Sequence, residues 1–287
     1  MLPKNVKMTN QVEKEIKKLN LKTETVEKIE NFLSKNILGH TRCQTDNQFE
    51  GIFRARIVTK STEEELSKTK CIWYPNWSEI DKNYHQYNRC SDKGQNFFYG
   101  SNYLGATIKE LDPKHNDLII VGLFTLINAE TKLTTQYAGI ETLKKNLNYN
   151  SLIEKFEFEN SSDKAIEEFI ASKFQEKISK KESYKYKLSI AFSNILLKND
   201  NISCIIYPSV ASNLEYANYG IKANIIDSYF ACKEIYMYGV ERNENEIIII
   251  PEKYSSIRHD NLNSKDSVIE WITNSKVEKK LTKKYDL

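Results

Sequence analysis

The sequence has few of the residues that mark disordered, fibrous or disulfide-stapled chains. It contains 9 Gly and 5 Pro among 287 residues, against 17 Tyr and 12 Phe, so apolar surface is ample and a disordered or fibrous protein is excluded. Its 5 cysteines are odd in number and never form C-x-x-C, which argues against a disulfide framework and a thiolate zinc site. We expect a folded globular protein with reduced, mostly structural thiols.

Long apolar runs and an excess of one charge are also missing. The longest apolar run, Leu118 to Ile127, is about half of the ~20 residues that a membrane-spanning helix needs, so no membrane partner is predicted. The N-terminus has no apolar signal core, which favours a cytoplasmic location. A net charge of +3 is too weak to predict nucleic-acid binding, and the Lys-rich end from Lys276 to Lys284 is expected to be solvated.

Hydrophobic periodicity predicts an α+β protein. Apolar residues at helical spacing from Val12 predict an N-terminal helical extension over residues 1–40, which Gly39 ends. Residues 41–250 form the predicted main domain, and residues 251–287 a C-terminal helix and basic tail. The predicted strands are Phe53–Ile57, Phe97–Tyr99, Leu118–Ile127, Cys204–Tyr207 and the hairpin of Glu234–Val240 with Glu246–Ile250. The predicted helices of the domain are Asn102–Leu111, capped by Ser101, and Ile166–Ile178 and Tyr184–Ile195.

Three familiar kinds of motif fail on inspection. Gly100-x4-Gly105 has the spacing of a phosphate-binding loop, but Ala106 stands where a lysine must follow the second glycine, so the lysine that would reach the phosphates is absent. His85 and Cys90 have no second pair of ligands in register, so no metal is predicted. The stretch around Ser209 lacks the glycines of a nucleophile elbow, so Ser209 is not expected to act as a nucleophile.

A constellation of polar residues is left at the ends of the predicted elements. Period two sends both arginines of the first strand to one face. The candidates are Arg54 or Arg56 on that strand, Arg89 in an aromatic-rich loop, Tyr99 at a strand end, Glu110 on the next helix and Ser209 after a late strand. Each alone is typical of a solvated or core-capping residue, but the set together indicates a site.

In these residues the sequence resembles the RES domain family, named for its arginine, glutamate and serine. The resemblance covers about residues 51–240. It rests on Phe53-Arg54-Ala55-Arg56, Asn88-Arg89, Phe98-Tyr99-Gly100-Ser101, Ala106-Thr107-Ile108-Lys109-Glu110 and Ile206-Tyr207-Pro208-Ser209-Val210, with weaker support from Asn224-Ile225-Ile226-Asp227. It implies a fold similar to ADP-ribosyltransferase toxins, cleavage of NAD as the substrate, and service as a toxin with an antitoxin protein as partner.

Two departures from a compact RES domain stand out. The segments near Trp73–Tyr87 and Leu133–Leu197 lengthen the gaps between motifs, so we expect insertions there that form a lid or a partner surface. The apolar stripes of the two helices in the second segment are candidate docking faces for an antitoxin, although core packing is the favoured interpretation of each stripe on its own. The first family position is open between Arg54 and Arg56, with Arg54 preferred.

The implied chemistry matches these residue types. Glu110 would stabilise the ribosyl cation as the nicotinamide leaves, and Tyr99 would offer a ring on which nicotinamide stacks. Arg54, or Arg56, and Arg89 would clamp the two phosphates, with Ser209 adding a donor. Water, phosphate or a protein side chain would then attack the ribose. The alternative is a non-catalytic interaction protein that keeps the fold.

Overall fold

The computed structural model describes residues 14–36, 43–146, 153, 156–158, 161–256, 267–273 and 283–286. Eleven strands among these residues join in one sheet, and helices cover it. The strands are β1 (Gln44–Asn47), β2 (Ile52–Ile57), β3 (Phe97–Ser101), β4 (Leu118–Leu126), β5 (Leu133–Tyr137), β6 (Ile202–Pro208), β7 (Ala217–Lys222), β8 (Phe230–Arg242), β9 (Glu246–Ser256), β10 (Ile272–Thr273) and β11 (Lys283–Asp286). The α+β class predicted from the sequence is confirmed.

Six α-helices have both ends within the described residues. They are α1 (Val26–Asn36), α2 (Leu104–Leu111), α3 (Ile140–Asn146), α4 (Ser161–Gln175), α5 (Tyr186–Leu197) and α6 (Ala223–Tyr229). None of the helices in the described part of the chain is long and apolar enough to cross a bilayer.

The sheet consists of two halves that meet between β2 and β3. The order is β1-β5-β6-β7-β3-β2-β4-β8-β9-β10, with β11 also on β9; among the described strands only β5 and β6 pair in parallel. In those strands β2 and β3 share one paired position, Phe53 with Ser101. Gly100 lies at this junction, where a Cβ would stand 2.7 Å from the Phe53 carbonyl oxygen. The close approach therefore requires glycine, and the halves diverge on either side of it.

Helices α4 and α5 pack against one face of β6, and α1 packs on α5. Their apolar stripes form a single buried cluster, which contains Ile29, Leu33, Phe174, Phe192 and Ile205. The N-terminal extension thus packs on the main domain in its described part, whereas Val12 and Gly39 lie outside the described residues. The stripes of α4 and α5 are core, which is the interpretation favoured for each stripe on its own, and they are not docking faces for an antitoxin.

The segment Leu133–Leu197 is not a peripheral insertion. Its β5 lies between β1 and β6 in the sheet, and its helices supply the cluster just described. Helix α4 ends at Gln175, and a 3₁₀ turn over Lys180–Lys185 precedes α5, so both helices start and end a few residues from their predicted bounds. This part of the chain belongs to the core of the domain.

Two further predictions need correction. Ser101 does not cap α2: its hydroxyl donates to the Ala217 carbonyl at 2.6 Å, and the helix begins only at Leu104. Strand β9 crosses the predicted boundary at residue 250, and the described residues beyond it form β10 and β11 rather than a helix, because the open edge of β9 offers hydrogen bonds to both. Lys276, Lys279 and Lys280 lie outside the described residues.

The five cysteines are free and buried. Burial raises the pKa of the Cys71 and Cys90 thiols to about 12, so both are neutral at physiological pH. They pack as small apolar side chains, as the sequence predicts for structural thiols.

Candidate functional site

A cavity of about 440 Å³ opens at the junction of the two half-sheets. Its volume falls within the range of roughly 300–1,000 Å³ that is usual for small-molecule sites. Its lining residues are Arg54, Ala55, Pro75, Trp77, Gln86, Asn88, Arg89, Ser91, Phe97, Tyr99, Gly100, Ser101, Thr107, Glu110, Leu111, Tyr186, Tyr207 and Asn218. Four of the six candidates from the sequence, Arg54, Arg89, Tyr99 and Glu110, therefore share one cavity.

Glu110 projects from the last turn of α2 and is held by two neutral donors. Its Oε1 accepts from the Ser209 hydroxyl at 2.8 Å and from the Asn218 side-chain amide at 2.7 Å. The hydroxyl comes from the turn after β6 and the amide from β7, so the strand pair of one half-sheet orients a carboxylate on a helix that packs on the other. No cation is paired with Glu110 among the described residues, so its negative charge faces the cavity.

Ser209 differs from its predicted place. It is fully buried and is not part of the cavity wall. Its backbone N–H donates to the Tyr216 carbonyl at 2.7 Å, and its own carbonyl accepts from Leu214 and Ser212, which fixes the turn. The Ser209 hydroxyl thus donates to Glu110 from the buried side of the carboxylate. Ser209 therefore positions Glu110, whereas the sequence predicted that it would donate to a ligand phosphate.

Arg54 and Arg56 lie on the same face of β2, as period two predicts, but only Arg54 lines the cavity. The Arg54 Nε donates to the Ile72 carbonyl at 3.0 Å and its Nη1 to the Tyr99 carbonyl at 2.8 Å, so it bridges the two half-sheets. Burial lowers its pKa to about 10, which leaves it charged at neutral pH. Among the described residues its Nη2 has no partner. Arg56 is exposed, donates to the Cys71 carbonyl at 3.0 Å, and lies outside the cavity.

Arg89 reaches the cavity from the side of the molecule where α4 ends. Its Nη1 donates to the carbonyls of Phe174 and, at 3.2 Å, Glu176 at the end of α4. Its guanidinium lies 5.2 Å from the centre of the Tyr186 ring, a cation–π distance. The carbonyls and the ring hold Arg89 in place, and no carboxylate of the described residues pairs with it.

Tyr99 presents its ring to the cavity while its hydroxyl is held on the inside. The hydroxyl donates to Ser91 Oγ at 2.9 Å and accepts from the Cys90 backbone N–H at 3.0 Å. Burial raises the pKa of Tyr99 well above its usual value, so the phenol is neutral. The ring is thereby locked as an apolar platform, with its centroid 5.4 Å from that of Phe97.

The aromatic-rich loop forms one wall of the cavity, and its base is tied to α6. The Trp73 indole Nε1–H and the Tyr74 hydroxyl both donate to the Asp227 carboxylate, at 2.9 and 2.5 Å. Asp227 ends the Asn224–Asp227 stretch that the sequence analysis noted as weak support, so the role of that stretch here is to hold the loop. Trp73 is buried in the core, whereas Pro75 and Trp77 reach the cavity.

Asn218, Tyr186 and Trp77 are site residues that the sequence analysis did not predict. Asn218 was missed because β7 was not recognised as a strand. A signal was present: Ala217, Tyr219 and Ile221 alternate with polar or small residues after a Ser- and Asn-containing turn, which is typical of a strand with Asn218 on its other face. For Tyr186 the spacing gave no signal beyond an apolar stripe.

Comparison with known proteins finds no matching family and no matching curated protein. The chemical groups of the site therefore indicate what it can do. It combines an anionic carboxylate, two guanidinium groups without acidic partners among the described residues, and aromatic platforms around one cavity. Such a site suits a ligand that carries both phosphates and flat rings and that develops positive charge during reaction.

Proposed function

We propose that the protein is an NAD-consuming enzyme of the RES type, which cleaves the bond between nicotinamide and ribose. One observation carries this function: Glu110, oriented by Ser209 and Asn218, faces the same cavity as Arg54, Arg89 and Tyr99. The sheet, whose halves separate beside the cavity, supports the further proposal of an ADP-ribosyltransferase-like fold.

The reaction requires little from the protein beyond charge and position. In NAD the nicotinamide is already a cation, so it leaves the ribose as a neutral base and needs no general acid. As the C–N bond breaks, the ribose acquires oxocarbenium character, and a nearby carboxylate stabilises the developing charge. Glu110 takes this role, and its two neutral donors hold it in place while leaving its charge intact.

The remaining cavity residues bind the nicotinamide ring and the diphosphate, which lie on either side of the reacting ribose. Tyr99 serves as the platform for the nicotinamide ring, since its locked hydroxyl leaves an apolar face. Arg54 and Arg89 bind the diphosphate through charge-assisted hydrogen bonds, for which a planar guanidinium is suited. Water, inorganic phosphate or a protein acceptor then completes hydrolysis, phosphorolysis or ADP-ribosyl transfer. In cells this activity would make the protein a toxin, held in check by an antitoxin that covers the cavity.

Nicotinamide release from NAD by the purified full chain tests this function. It is measured with water alone, with added phosphate and with a candidate acceptor protein. The variant Glu110→Gln keeps the size and an acceptor oxygen but removes the charge. We expect kcat to fall by about 10²–10³, or ~3–4 kcal/mol, while NAD affinity changes little, because the carboxylate acts mainly in the transition state.

Glu244→Gln is the matched control, since Glu244 is exposed in the turn between β8 and β9. It should turn over NAD at the parent rate. Parent-like turnover by folded Glu110→Gln would show that the carboxylate has no part in the chemistry. Absence of nicotinamide release from the parent under all three conditions would favour the non-catalytic interaction protein instead.

A further inference from the structure

The proposed mechanism leaves one wall of the cavity unused. This wall comes from the aromatic-rich loop, and the side chains of Trp77 and Gln86 form part of it. Glu110 and Tyr99 serve the reacting ribose and nicotinamide, while Arg54 and Arg89 serve the diphosphate. A dinucleotide has a second base beyond its diphosphate, so a second flat-ring site must exist if the ligand is held along its length.

Trp77 stands apart from the other two tryptophans in its hydrogen bonding. The Trp73 Nε1–H donates to Asp227 at 2.9 Å, and the Trp271 Nε1–H donates to the Leu66 carbonyl at 3.0 Å. The Trp77 Nε1–H has no acceptor among the described residues, and the indole is only half-buried on the cavity wall. Core packing explains the first two rings and does not explain the third.

The backbone and one edge of Trp77 are nevertheless fixed. The Trp77 backbone N–H donates to the Asn96 side-chain carbonyl at 3.0 Å, and the Trp77 backbone carbonyl oxygen lies 3.1 Å from His85 Nε2. The His85 ring also packs edge-on against the indole, with 5.1 Å between ring centroids. An aromatic ring held in this way is a pre-organised platform, which loses little conformational entropy when a base stacks on it.

Gln86 adds a polar group on the same wall. Its side chain is exposed, and its amide has no hydrogen-bond partner among the described residues. A glutamine amide pairs with adenine in a two-pronged way, accepting from N6–H and donating to N7. Hypoxanthine presents an acceptor at both positions and cannot satisfy the amide oxygen.

We propose that Trp77 and Gln86 form the adenine subsite of the cavity, in which the indole stacks on the base and the Gln86 amide recognises its edge. The choice of ligand rests on the proposed function. The subsite makes the protein selective for adenine-containing dinucleotides over nicotinamide mononucleotide, which ends at its phosphate.

Calorimetric titration of the full chain with adenosine monophosphate and with nicotinamide mononucleotide tests the subsite. Trp77→Ala should raise the Kd for adenosine monophosphate about tenfold, because the base loses the ring on which it stacks, and should leave the Kd for nicotinamide mononucleotide within about twofold. Trp77→Phe keeps a ring and should retain most of the affinity. Tyr229→Ala, which removes an exposed aromatic side chain outside the cavity, is the matched control and should bind both as the parent does.

Gln86→Ala keeps the test decisive if Trp77→Ala fails to fold, because an exposed side chain is not needed for folding. The parent should prefer adenosine monophosphate over inosine monophosphate, and Gln86→Ala should lose that preference. Unchanged binding of adenosine monophosphate in Trp77→Ala and Gln86→Ala, or equal weakening of both mononucleotides, would overturn the subsite even if the parent releases nicotinamide. Binding that depends on Trp77, in a protein that releases no nicotinamide, would instead overturn the proposed reaction and leave the subsite standing.

Discussion

Arg54 and Arg56 are two positions apart on one strand, yet their guanidinium groups have different surroundings. Arg54 satisfies the carbonyls of Ile72 and Tyr99 and also lines the cavity, so it links the two half-sheets and we propose that it binds the ligand as well. Arg56 is exposed and has one carbonyl partner outside the cavity. The choice between them, which alternation along the strand left open, becomes testable because the two roles of Arg54 should fail together.

We expect Arg54→Ala to lower both thermal stability and ligand affinity. It leaves two carbonyls without a donor, at a cost of about 1–3 kcal/mol each, and it removes a charged contact to phosphate. Thermal unfolding measures the first effect, and titration with ADP-ribose, which cannot lose nicotinamide, measures the second; we expect its Kd to rise about tenfold or more. Arg56→Ala is the matched control and should change neither quantity by much. Equal losses of ADP-ribose affinity in both variants would contradict the assignment of Arg54.

Some elements could be predicted from the sequence because their patterns are local. Strands β2, β4 and β8 have alternating or continuous apolar residues, and α4 and α5 have regular apolar stripes, so their positions were recognised to within a few residues. Strands β1, β5 and β7 were missed. Gln44–Asn47 is entirely polar, and Leu133–Tyr137 has three polar residues of five, so only pairing with distant strands makes them strands.

The same limit explains which parts of the site were predicted. Arg54, Arg89, Tyr99 and Glu110 stand in or beside elements with local patterns. The contact of Glu110 with Ser209 and Asn218 spans 99 and 108 residues of chain, and it depends on how β6 and β7 pair. No sequence period encodes that pairing, so the buried position of Ser209 and the role of Asn218 had to come from the structure.

Helix α5 links the N-terminal extension to the cavity through one buried lysine. Lys187 is only 4% exposed, and its ammonium donates to the carbonyls of Leu21 at 2.9 Å and Glu24 at 2.7 Å. Burial lowers its pKa from the usual value. The preceding residue, Tyr186, lies under the Arg89 guanidinium. Residues 21–24 are therefore fixed by the same helix turn that contacts Arg89, the residue proposed to bind the diphosphate.

We expect Lys187→Met to loosen the N-terminal extension. Methionine matches much of the length of lysine but cannot donate, so the carbonyls lose a charged partner and the free energy of unfolding falls by about 1.5–3 kcal/mol. Hydrogen exchange should accelerate in residues 14–36 before it does in β6. Lys198→Met, at the exposed end of the same helix, is the control and should leave exchange unchanged. Parent-like protection of residues 14–36 in Lys187→Met would mean that apolar packing alone holds the extension.

At the scale of the whole molecule, the site exists because a long sheet is interrupted. Among the described strands β2 and β3 share a single paired position, Phe53 with Ser101, and the cavity lies beside this junction. Each half then contributes part of the site: β2 brings Arg54 and its covering helix brings Glu110, whereas β3 and β7 bring Tyr99 and Asn218. We therefore expect ligand binding to depend on how the halves are held together, and Arg54 is itself one of the links.

Cells that make this protein without a partner should lose NAD and stop growing. The expectation follows from the proposed reaction, since an enzyme that cleaves NAD at an open cavity has no described segment that covers its carboxylate. Cellular NAD and growth are followed after induction, with Glu110→Gln produced to the same level as the control. NAD should fall before growth stops in the parent, and neither should change in the variant, because only the charge of one side chain differs. Growth arrest with stable NAD, or equal arrest by both proteins, would place the toxic action outside this cavity.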